Sequence, residues 1–419
     1  MTIYDSKTIL RIAREKSEYY KELFKDVPLD APLEDYPLVD SSDFWAKAQF
    51  EEGSKILTDK FVEGRVFKSG GTTGTPKFSP YTNEEWLTMC QLLSDQNGFN
   101  FLNCGDRVCN LFYSGNMYAS YDYCTIMHML SPVKYILYNL GGHAEIPDVI
   151  YNIKQNNINV LIGLPSVIMK VIDYIENNKI KDLPIKKLCF AGESLQLNQR
   201  NYINKVFGRE IEYFSFGLAG NDYGMVAYFS SDCGFNEHHV DDRACYMQIR
   251  DQETGELITE EQRVGKIYIT SRHKLLMPII NYPIGDLGQW TEPEGRANRR
   301  FQLMGRNQEV ARVGIVNLFK SDFDNVIAKN SWSIKNYQLI IHYNEATHKD
   351  YLLIKVATKE NIADEFLAAI YEECPMLLDT EQKHMIDKTI VEIVDSKDLI
   401  YNSRTGKLSQ VLDLRFSDK

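Results

Sequence analysis

Hydrophobic positions along this chain alternate between helical spacing and short continuous runs. Apolar residues recur near a 3.6-residue period over residues 7–24, which predicts a helix there. Residues 160–164 form a continuous apolar run, typical of a buried strand, and Pro165 suits the first turn of a helix that continues to Ile175. Two further strand-like runs follow at 188–192 and 211–216. This alternation of strand and helix predicts a parallel sheet covered on both faces.

The pattern changes in the second half of the chain. Between residues 240 and 270 there are short β segments separated by turns, which are typical of an antiparallel sheet. After Gly305 the apolar pattern predicts one helix near 362–372 and strands near 338–343, 351–357 and 389–394. The last hundred or so residues are therefore expected to form a small, separate α+β domain.

Size and composition narrow the class of protein. A chain of 419 residues is too long for one ordinary core, and 44% hydrophobic with 25% charged residues is a globular composition. The net charge of 47 − 58 = −11 disfavours a nucleic-acid partner bound through counterion release. There is no apolar run long enough to cross a bilayer and no apolar core of a signal peptide, so we expect a cytoplasmic protein without a membrane partner. The eight cysteines contain no CxxC pair and are expected to be reduced.

A loop rich in glycine and threonine carries the sharpest local chemistry. Residues 68–77 read KSGGTTGTPK. Glycines let the backbone turn tightly and point N–H groups at an anion, while the hydroxyl groups and Lys77 add donors and positive charge. The spacing is not that of a Walker A loop. The alternative is an ordinary surface turn without a ligand.

The order SGGTTGTPK resembles (S/T)SGTTGxPK, the phosphate loop of the adenylate-forming enzymes. Other segments follow in the order that this superfamily has: AGES at 191–194, FGLA at 216–219, YPIGDL at 282–287, MGR at 304–306 and RTGKL at 404–408. Residues 11–20, 278–282 and 406–413 resemble the branch of the phenylacetate–coenzyme A ligases. The resemblance extends over roughly residues 10 to 415.

The resemblance implies a fold and an activity. The expected fold is α/β, with a large domain of layered α/β sheets and a small β-barrel-like part over residues 1–305, and a mobile α+β domain over 306–419. The expected reaction is ATP-dependent activation of a small carboxylic acid as an acyl adenylate, with release of pyrophosphate and transfer of the acyl group to coenzyme A. ATP, Mg²⁺ and coenzyme A are the implied cofactors.

The same resemblance assigns roles to individual residues. The phosphate loop would bind ATP through Ser69, Gly70, Gly71, Thr72, Thr73, Gly74 and Lys77. Adenine and ribose would be contacted by Gly192, Glu193, Phe216, Gly217, Asp286 and Arg306, with the ring of Phe216 stacking on adenine and Asp286 accepting from the ribose hydroxyls. Catalytic roles fall to Thr73 and Lys407, the latter between the carboxylate and the α-phosphate. Arg306 also begins the hinge to the C-terminal domain.

The chain departs from the family pattern at several places, among them Asn281 in place of a basic residue and Gln308 in place of an acidic one. Gly220 replaces a glutamate that helps to hold Mg²⁺, and Asn221 or Asp222 could supply oxygen ligands instead. Relatives often carry zinc on a cysteine, a histidine and a Cys-Pro-Cys stretch, for which this chain has Cys233, His238 and Glu292-Pro293-Glu294. Carboxylates in place of thiolates weaken a zinc site, so the alternatives are a site that holds no metal and a mixed site joined by Cys245 or His239.

Several alternatives stay open at this point. The acceptor could be a carrier-protein thiol, another protein thiol or an amine instead of coenzyme A, and a non-catalytic protein that binds nucleotide or acyl adenylate is a further reading. The aromatic-rich stretch with Tyr113, Tyr118, Tyr121 and Tyr123 either belongs to the core or lines a pocket for an aromatic acid. A homodimer is one option for the assembly.

Overall fold

The computed structural model describes residues 1–48, 54–69, 77–192, 195, 197–306, 310–314, 316–344, 346–347, 349–402 and 406–415. In chain order the helices are α1 Ser6–Lys16, α2 Glu18–Leu23, α3 Ser41–Lys47, α4 Asn83–Asn100, α5 Ala119–Leu130, α6 Ile146–Gln155, α7 Pro165–Asn177, α8 Leu197–Phe207, α9 Lys320–Lys329, α10 Ala363–Glu373 and α11 Pro375–Gln382. The strands are β1 Arg65–Ser69, β2 Lys77–Tyr81, β3 Arg107–Asn110, β4 Ile136–Asn139, β5 Val160–Gly163, β6 Lys187–Phe190, β7 Glu212–Ser215, β8 Leu218–Gly220, β9 Gly224–Tyr228, β10 Glu237–Val240, β11 Cys245–Arg250, β12 Gly265–Ser271, β13 Tyr282–Trp290, β14 Arg300–Arg306, β15 Val310–Val313, β16 Val316–Phe319, β17 Asn336–Asn344, β18 Lys349–Ala357, β19 Ile390–Val394 and β20 Val411–Asp413.

The chain packs into two compact units. The first consists of Met1–Gly163, Pro184–Gly192 and Tyr213–Met304, and the second consists of Leu164–Leu183, Glu193–Glu212 and Gly305–Lys419. The expected division between residues 305 and 306 assigns α7 and α8 to the N-terminal domain, whereas the compact units group these two helices with the C-terminal residues. Rotation of residues 306–419 as a body stays a prediction.

A parallel sheet organises part of the first unit. Its strand order is β4-β3-β5-β6-β7, and β3 pairs in parallel with β4 and β5, as β5 does with β6. All residues of β5 and β6 are buried, as expected for central strands of a covered sheet. Gly192 follows β6 and Phe216 follows β7, so both lie near the carboxyl edge, where ligands bind in α/β sheets.

The larger sheet of the first unit has the strand order β11-β12-β13-β14-β10-β9-β8. Its apolar face packs against the N-terminal helices, and buried side chains such as Ile9, Tyr20 and Phe44 join Ile267 and Phe301 in one core. This packing fixes α1 to α3 against the strands that carry several candidate site residues.

The helix expected over residues 7–24 is two helices, α1 and α2, separated at Ser17. The Ser17 hydroxyl accepts a hydrogen bond from the backbone N–H of Tyr20 at 3.4 Å and donates to the carbonyl oxygen of Lys55 at 3.1 Å. Because this side chain caps α2, it divides a segment whose apolar periodicity is continuous.

The second unit contains a mixed sheet with the order β19-β18-β17-β20. Strands β17 and β18 pair antiparallel over nine residues each, and the outer strands pair in parallel. Phe323 of α9 and Phe366 of α10 are buried in the core that also contains Leu339 and Ile354. Within this unit, Lys335 lies 2.6 Å from the carboxylate of Asp173 in α7. The α+β pattern read from the C-terminal sequence is thus present.

The helices that the structure describes include none that is both long enough and apolar enough to cross a membrane. The eight cysteines are free thiols, and most of them are buried. Burial raises the pKa of the Cys109 thiol to about 12, so this side chain stays protonated at neutral pH.

Candidate functional site

The ends of the glycine–threonine loop are held together by a β hairpin. Strands β1 and β2 pair antiparallel, with Ser69 directly opposite Lys77. The predicted residues Gly70, Gly71, Thr72, Thr73 and Gly74 lie outside the described residues. The hairpin therefore brings together Ser69 and Lys77, the two ends of this loop, as a phosphate-binding loop requires.

A buried carboxylate faces this hairpin. Asp222 lies 3.9 Å from the ammonium group of Lys77, and it accepts a hydrogen bond from the Ser79 hydroxyl at 3.3 Å. Burial raises the pKa of Asp222 above its usual range, while the positive charge of Lys77 opposes that effect. The ammonium group of Lys77 also lies 5.3 Å from the centre of the Trp45 ring, a cation–π distance. The site thus combines one carboxylate, one ammonium group and hydroxyl donors beside the loop.

The turn between β7 and β8 has a strict need for glycine. Gly217 has φ +95°, and a Cβ at this position would come 2.0 Å from the carbonyl oxygen of Ala227. The preceding residue, Phe216, is buried, and its ring contacts Phe112 and Tyr123 at centroid distances of 5.9 Å. Stacking of Phe216 on adenine stays a prediction.

The strand expected to contact ribose is β13, which contains both Tyr282 and the partly buried Asp286. The hydroxyl of Tyr282 accepts a hydrogen bond from the Trp45 indole N–H at 2.8 Å. Trp45 therefore connects the start of the ribose motif with the lysine at the end of the phosphate loop. The exposed Gly192 has φ +78°, and its neighbour Glu193 lies outside the described residues.

Asn281, which stands where the family has a basic residue, is buried and has φ +44°. Its side-chain amide donates to the carbonyl oxygens of Leu33 and Tyr36, each at 3.0 Å. Its backbone N–H donates to Thr270 Oγ1 at 3.0 Å. An asparagine tolerates this left-handed backbone and joins the N-terminal segment to the sheet, which gives the substitution a structural reason.

The predicted metal ligands separate into two environments. The ligand atoms of Asp232, Cys233 and His239 lie within 4.8 Å of one another, whereas His238 shares a 2.9 Å hydrogen bond with Ser215 Oγ. Cys245 is buried, and its thiol donates to the carbonyl oxygen of Val226. A cation would therefore be held by His239 in place of His238, and without Cys245.

Charge at this cluster is already balanced by side chains. The hydrogen bond with Cys233 raises the pKa of His239 to about 9, with smaller contributions from its bond to the Asn298 carbonyl and from Asp232. The Arg300 guanidinium lies 3.0 Å from Glu292 and 3.5 Å from Glu237. Because Arg300 supplies the positive charge beside Glu292, that carboxylate is paired without a metal ion.

The predicted catalytic lysine lies in a C-terminal hairpin of the second unit. The backbone N–H of Asn402 donates to the carbonyl oxygen of Lys407 at 2.8 Å, and Tyr401 and Leu408 form an antiparallel bridge. Residues 403–405 lie outside the described residues, as does the side chain of Arg306, whose backbone ends β14. These contacts fix the backbone of Lys407, and its catalytic role stays a prediction.

The chain is similar in sequence to enzymes that activate carboxylic acids. No family model matches the chain. It is 23% identical over 370 residues to phenylacetate-coenzyme A ligase of Aromatoleum evansii, which is 84% of this chain and 79% of that protein. This similarity confirms the resemblance to the adenylate-forming enzymes of the phenylacetate–coenzyme A ligase-like branch.

The chain has further similarities that agree with this resemblance. Over 234 residues it is 25% identical to indoleacetate–lysine synthetase of Pseudomonas savastanoi, which is 52% of this chain and 51% of that protein. The fold matches a crystal structure of 2-hydroxyisobutyryl-CoA ligase with 2-HIB-AMP at a TM-score of 0.74, with 15% identity, 97% of this chain and 87% of that chain. It also matches ATP-bound MatB from Rhodopseudomonas palustris at 0.55, with 13% identity, 85% of this chain and 69% of that chain.

The structure adds residues beside the site that none of the sequence motifs contains. Trp45 lies beside Lys77, and Ser79 donates to Asp222. The buried Lys274 donates to the backbone carbonyl oxygen of Asp222. Sequence reasoning could find Asp222 because it follows Gly220 by two residues. Lys274 had no comparable signal, since it belongs to none of the motifs.

Proposed function

We propose that this protein activates a carboxylic acid with ATP and transfers the acyl group to coenzyme A. The observation that carries the proposal is the hairpin that pairs Ser69 with Lys77 beside the buried Asp222, in a chain similar over most of its length to phenylacetate-coenzyme A ligase. A phosphate-binding loop closed by a lysine suits a nucleotide triphosphate.

The proposed reaction has two steps, formation of the acyl adenylate and transfer of the acyl group. A carboxylate oxygen of the acid attacks the α-phosphorus of ATP, the bond from that phosphorus to the bridging oxygen breaks, and pyrophosphate leaves. The thiolate sulfur of coenzyme A then attacks the acyl carbon, the acyl C–O bond breaks, and AMP leaves. Each step exchanges an acyl or phosphoryl bond without oxidation, so the protein contributes positioning and charge stabilisation.

Residues of the first unit would hold the triphosphate. In this proposal Ser69, Lys77 and the loop between them bind the β- and γ-phosphates, and Asp286 accepts hydrogen bonds from the ribose hydroxyls. Asp222 fits Mg²⁺, because it offers hard carboxylate oxygens beside the loop, and the ion would neutralise phosphate charge. Lys77 is then free to exchange its carboxylate partner for a phosphate oxygen.

Residues of the second unit would act on charge that develops in the reaction. We assign Lys407 to the negative charge that builds between the carboxylate and the α-phosphate, and Arg306 to the ribose or a phosphate. Gly305 and Arg306 would also form the hinge about which residues 306–419 rotate between the two steps.

An amine is the second candidate acceptor. The similarity to indoleacetate–lysine synthetase, an enzyme named for joining an acid to lysine, favours this alternative specifically. The first half-reaction is unchanged, and the amine nitrogen replaces the thiolate sulfur in the attack on the acyl carbon. A carrier-protein or other protein thiol would react in the same way as coenzyme A.

Two assays test the proposal in sequence. Isotope exchange between pyrophosphate and ATP is measured with a panel of aryl and short aliphatic acids, and at least one acid is expected to support it. Release of AMP is then measured with coenzyme A and with lysine as separate acceptors. Exchange that no acid stimulates, in a protein that binds ATP, would overturn the catalytic proposal and leave a nucleotide-binding protein. Asp222→Asn should raise the Mg²⁺ concentration that half-maximal exchange requires. Ser94→Ala, at a buried serine in α4, is the control and should leave this concentration unchanged.

A further inference from the structure

A lysine is fully buried beneath the phosphate-loop hairpin. Lys274 has no exposed surface, and its ammonium group donates to the backbone carbonyl oxygen of Asp222 at 3.0 Å. The same ammonium group lies 3.7 Å from the centre of the Tyr81 ring. Burying an ammonium group is costly unless such partners compensate for the lost water, so this placement needs a reason.

The segment that carries Lys274 is itself anchored. Glu85, in the first turn of α4, accepts hydrogen bonds from the backbone N–H groups of Leu275 and Leu276 at 2.6 and 2.7 Å. Its other carboxylate oxygen accepts from the backbone N–H of Thr82 at 2.9 Å, which completes a capping box. The position of the lysine is therefore set by the helix that directly follows β2.

The turn formed by Asn221 and Asp222 is held at both of its carbonyl oxygens. The Tyr81 hydroxyl donates to the carbonyl of Asn221 at 2.8 Å, and Lys274 donates to the carbonyl of Asp222. The side chains of the turn reach both strands of the hairpin, because Asn221 donates to the carbonyl of Lys68 at 3.4 Å and Asp222 accepts from Ser79. These two hydrogen bonds to the backbone thus fix the side chains of Asn221 and Asp222 against the hairpin.

We propose that Lys274 is a positioning residue for the phosphate loop: it holds the Asn221–Asp222 turn so that the carboxylate of Asp222 stays opposite Lys77. The lysine is too deeply buried to touch the nucleotide, and it acts through Asp222. This inference rests on the proposed function only in that the loop binds ATP. It adds a residue that lies outside the loop and its motifs.

The test measures ATP binding directly. Lys274→Met keeps the length of the side chain and removes the ammonium group, and we expect the dissociation constant of ATP to rise about tenfold, while the melting temperature falls by a few degrees. The matched control is Lys187→Met. Lys187 is also buried and donates to a backbone carbonyl, that of Phe101 at 2.9 Å, but it pairs with Asp106 and lies in β6, outside the hairpin and the Asn221–Asp222 turn. The control is expected to lose stability and to keep the ATP affinity.

A double-mutant cycle separates positioning from general destabilisation. If Lys274 acts through Asp222, Lys274→Met should change ATP affinity little when Asp222→Ala is already present. Equal fold-losses in both backgrounds, or an equal loss of affinity in Lys187→Met, would overturn the proposal.

A second variant keeps the test decisive if Lys274→Met does not fold. Tyr81→Phe leaves the lysine and the ring in place and removes only the hydroxyl that holds Asn221, and it should weaken ATP binding about threefold. Faster amide exchange of residues 65–69 and 77–81 should accompany it, and unchanged affinity together with unchanged exchange would contradict the proposal. Because every measurement uses ATP without an acid, failure of acid activation leaves this test intact, whereas a wild-type protein that does not bind ATP would refute the proposed function first.

Discussion

His238 and Ser215 share a hydrogen bond of 2.9 Å that supports the turn at Gly217. The Ser215 hydroxyl oxygen also accepts the backbone N–H of Gly217 at 3.0 Å. A histidine considered first as a metal ligand thus lies behind the turn expected to contact adenine. In this structure His238 orients the hydroxyl group of Ser215, which in turn fixes the backbone N–H of Gly217.

Loss of that serine should affect nucleotide binding more than turnover. We expect Ser215→Ala to raise the KM for ATP about threefold to tenfold, with a smaller change in kcat, because the turn loses the acceptor that fixes Gly217. Steady-state kinetics with saturating acid would measure the split. Ser94→Ala, at a buried serine that donates to Met127, is the control, and an equal effect there would argue against this assignment.

Two buried histidines should make stability depend on pH. Burial lowers the pKa of both His238 and His273 to about 4, whereas an unfolded histidine titrates near 6.5. The unfolded chain therefore binds more protons between these values, so the free energy of unfolding should fall as the pH drops from about 6.5 to 4. Each histidine contributes up to about 3 kcal/mol. Urea unfolding of the wild type and of His238→Gln at pH 5 and 7.5 would check this, and parallel losses in the two proteins would refute the contribution of His238.

Replacement of the C-terminal lysine should separate binding from chemistry. Lys407→Ala is expected to leave ATP affinity nearly intact and to slow adenylate formation by orders of magnitude, because the ammonium group acts on charge that develops in the transition state. Pyrophosphate exchange measures the rate, and direct titration measures the affinity. Lys397→Ala, at a largely exposed lysine of the same region, should change neither. Unchanged exchange in Lys407→Ala would remove this residue from the site.

Metal removal should have little effect on folding. Arg300 already pairs with Glu292, and the Asp232, Cys233 and His239 group offers one thiolate among harder ligands. We expect substoichiometric zinc in the purified protein and a change in melting temperature of about 1 °C or less with a chelator. Stoichiometric zinc that resists dialysis, and that is lost in Cys233→Ser but kept in Cys245→Ser, would show that a structural site exists after all.

The local pattern of the chain was sufficient for many of its elements. The continuous apolar run at 160–164 and the proline after it predicted β5 and α7, and the C-terminal strands and helix were also found close to their expected positions. These features can be read from sequence because periodic burial leaves a periodic trace in residue type. The glycine–threonine motif predicts a phosphate-binding loop because its glycines and hydroxyl groups supply the donors that a phosphate requires, and the binding of ATP there stays a prediction.

The connections between distant segments could not be read in that way. The three prolines Pro28, Pro32 and Pro37 are typical of a surface connector, yet Tyr36 among them is buried and its carbonyl accepts a hydrogen bond from Asn281, more than two hundred residues away. The sequence likewise assigned His238 beside Cys233, whereas the structure places His239 there, because neighbouring residues of a strand face opposite sides and only the sheet decides which side meets which partner.

The sequence by itself determined the resemblance to the adenylate-forming enzymes and the order of many secondary-structure elements. The tertiary structure decided which carboxylate faces that loop and what holds it there. Asp222 meets Lys77 and Ser79 only because β1 and β2 pack beside the turn after β8, and Lys274 reaches that turn only because Glu85 anchors its backbone. Hydrogen bonds and ion pairs between residues so far apart in sequence depend on three-dimensional packing. They leave no local periodicity in the amino-acid sequence from which they could be predicted.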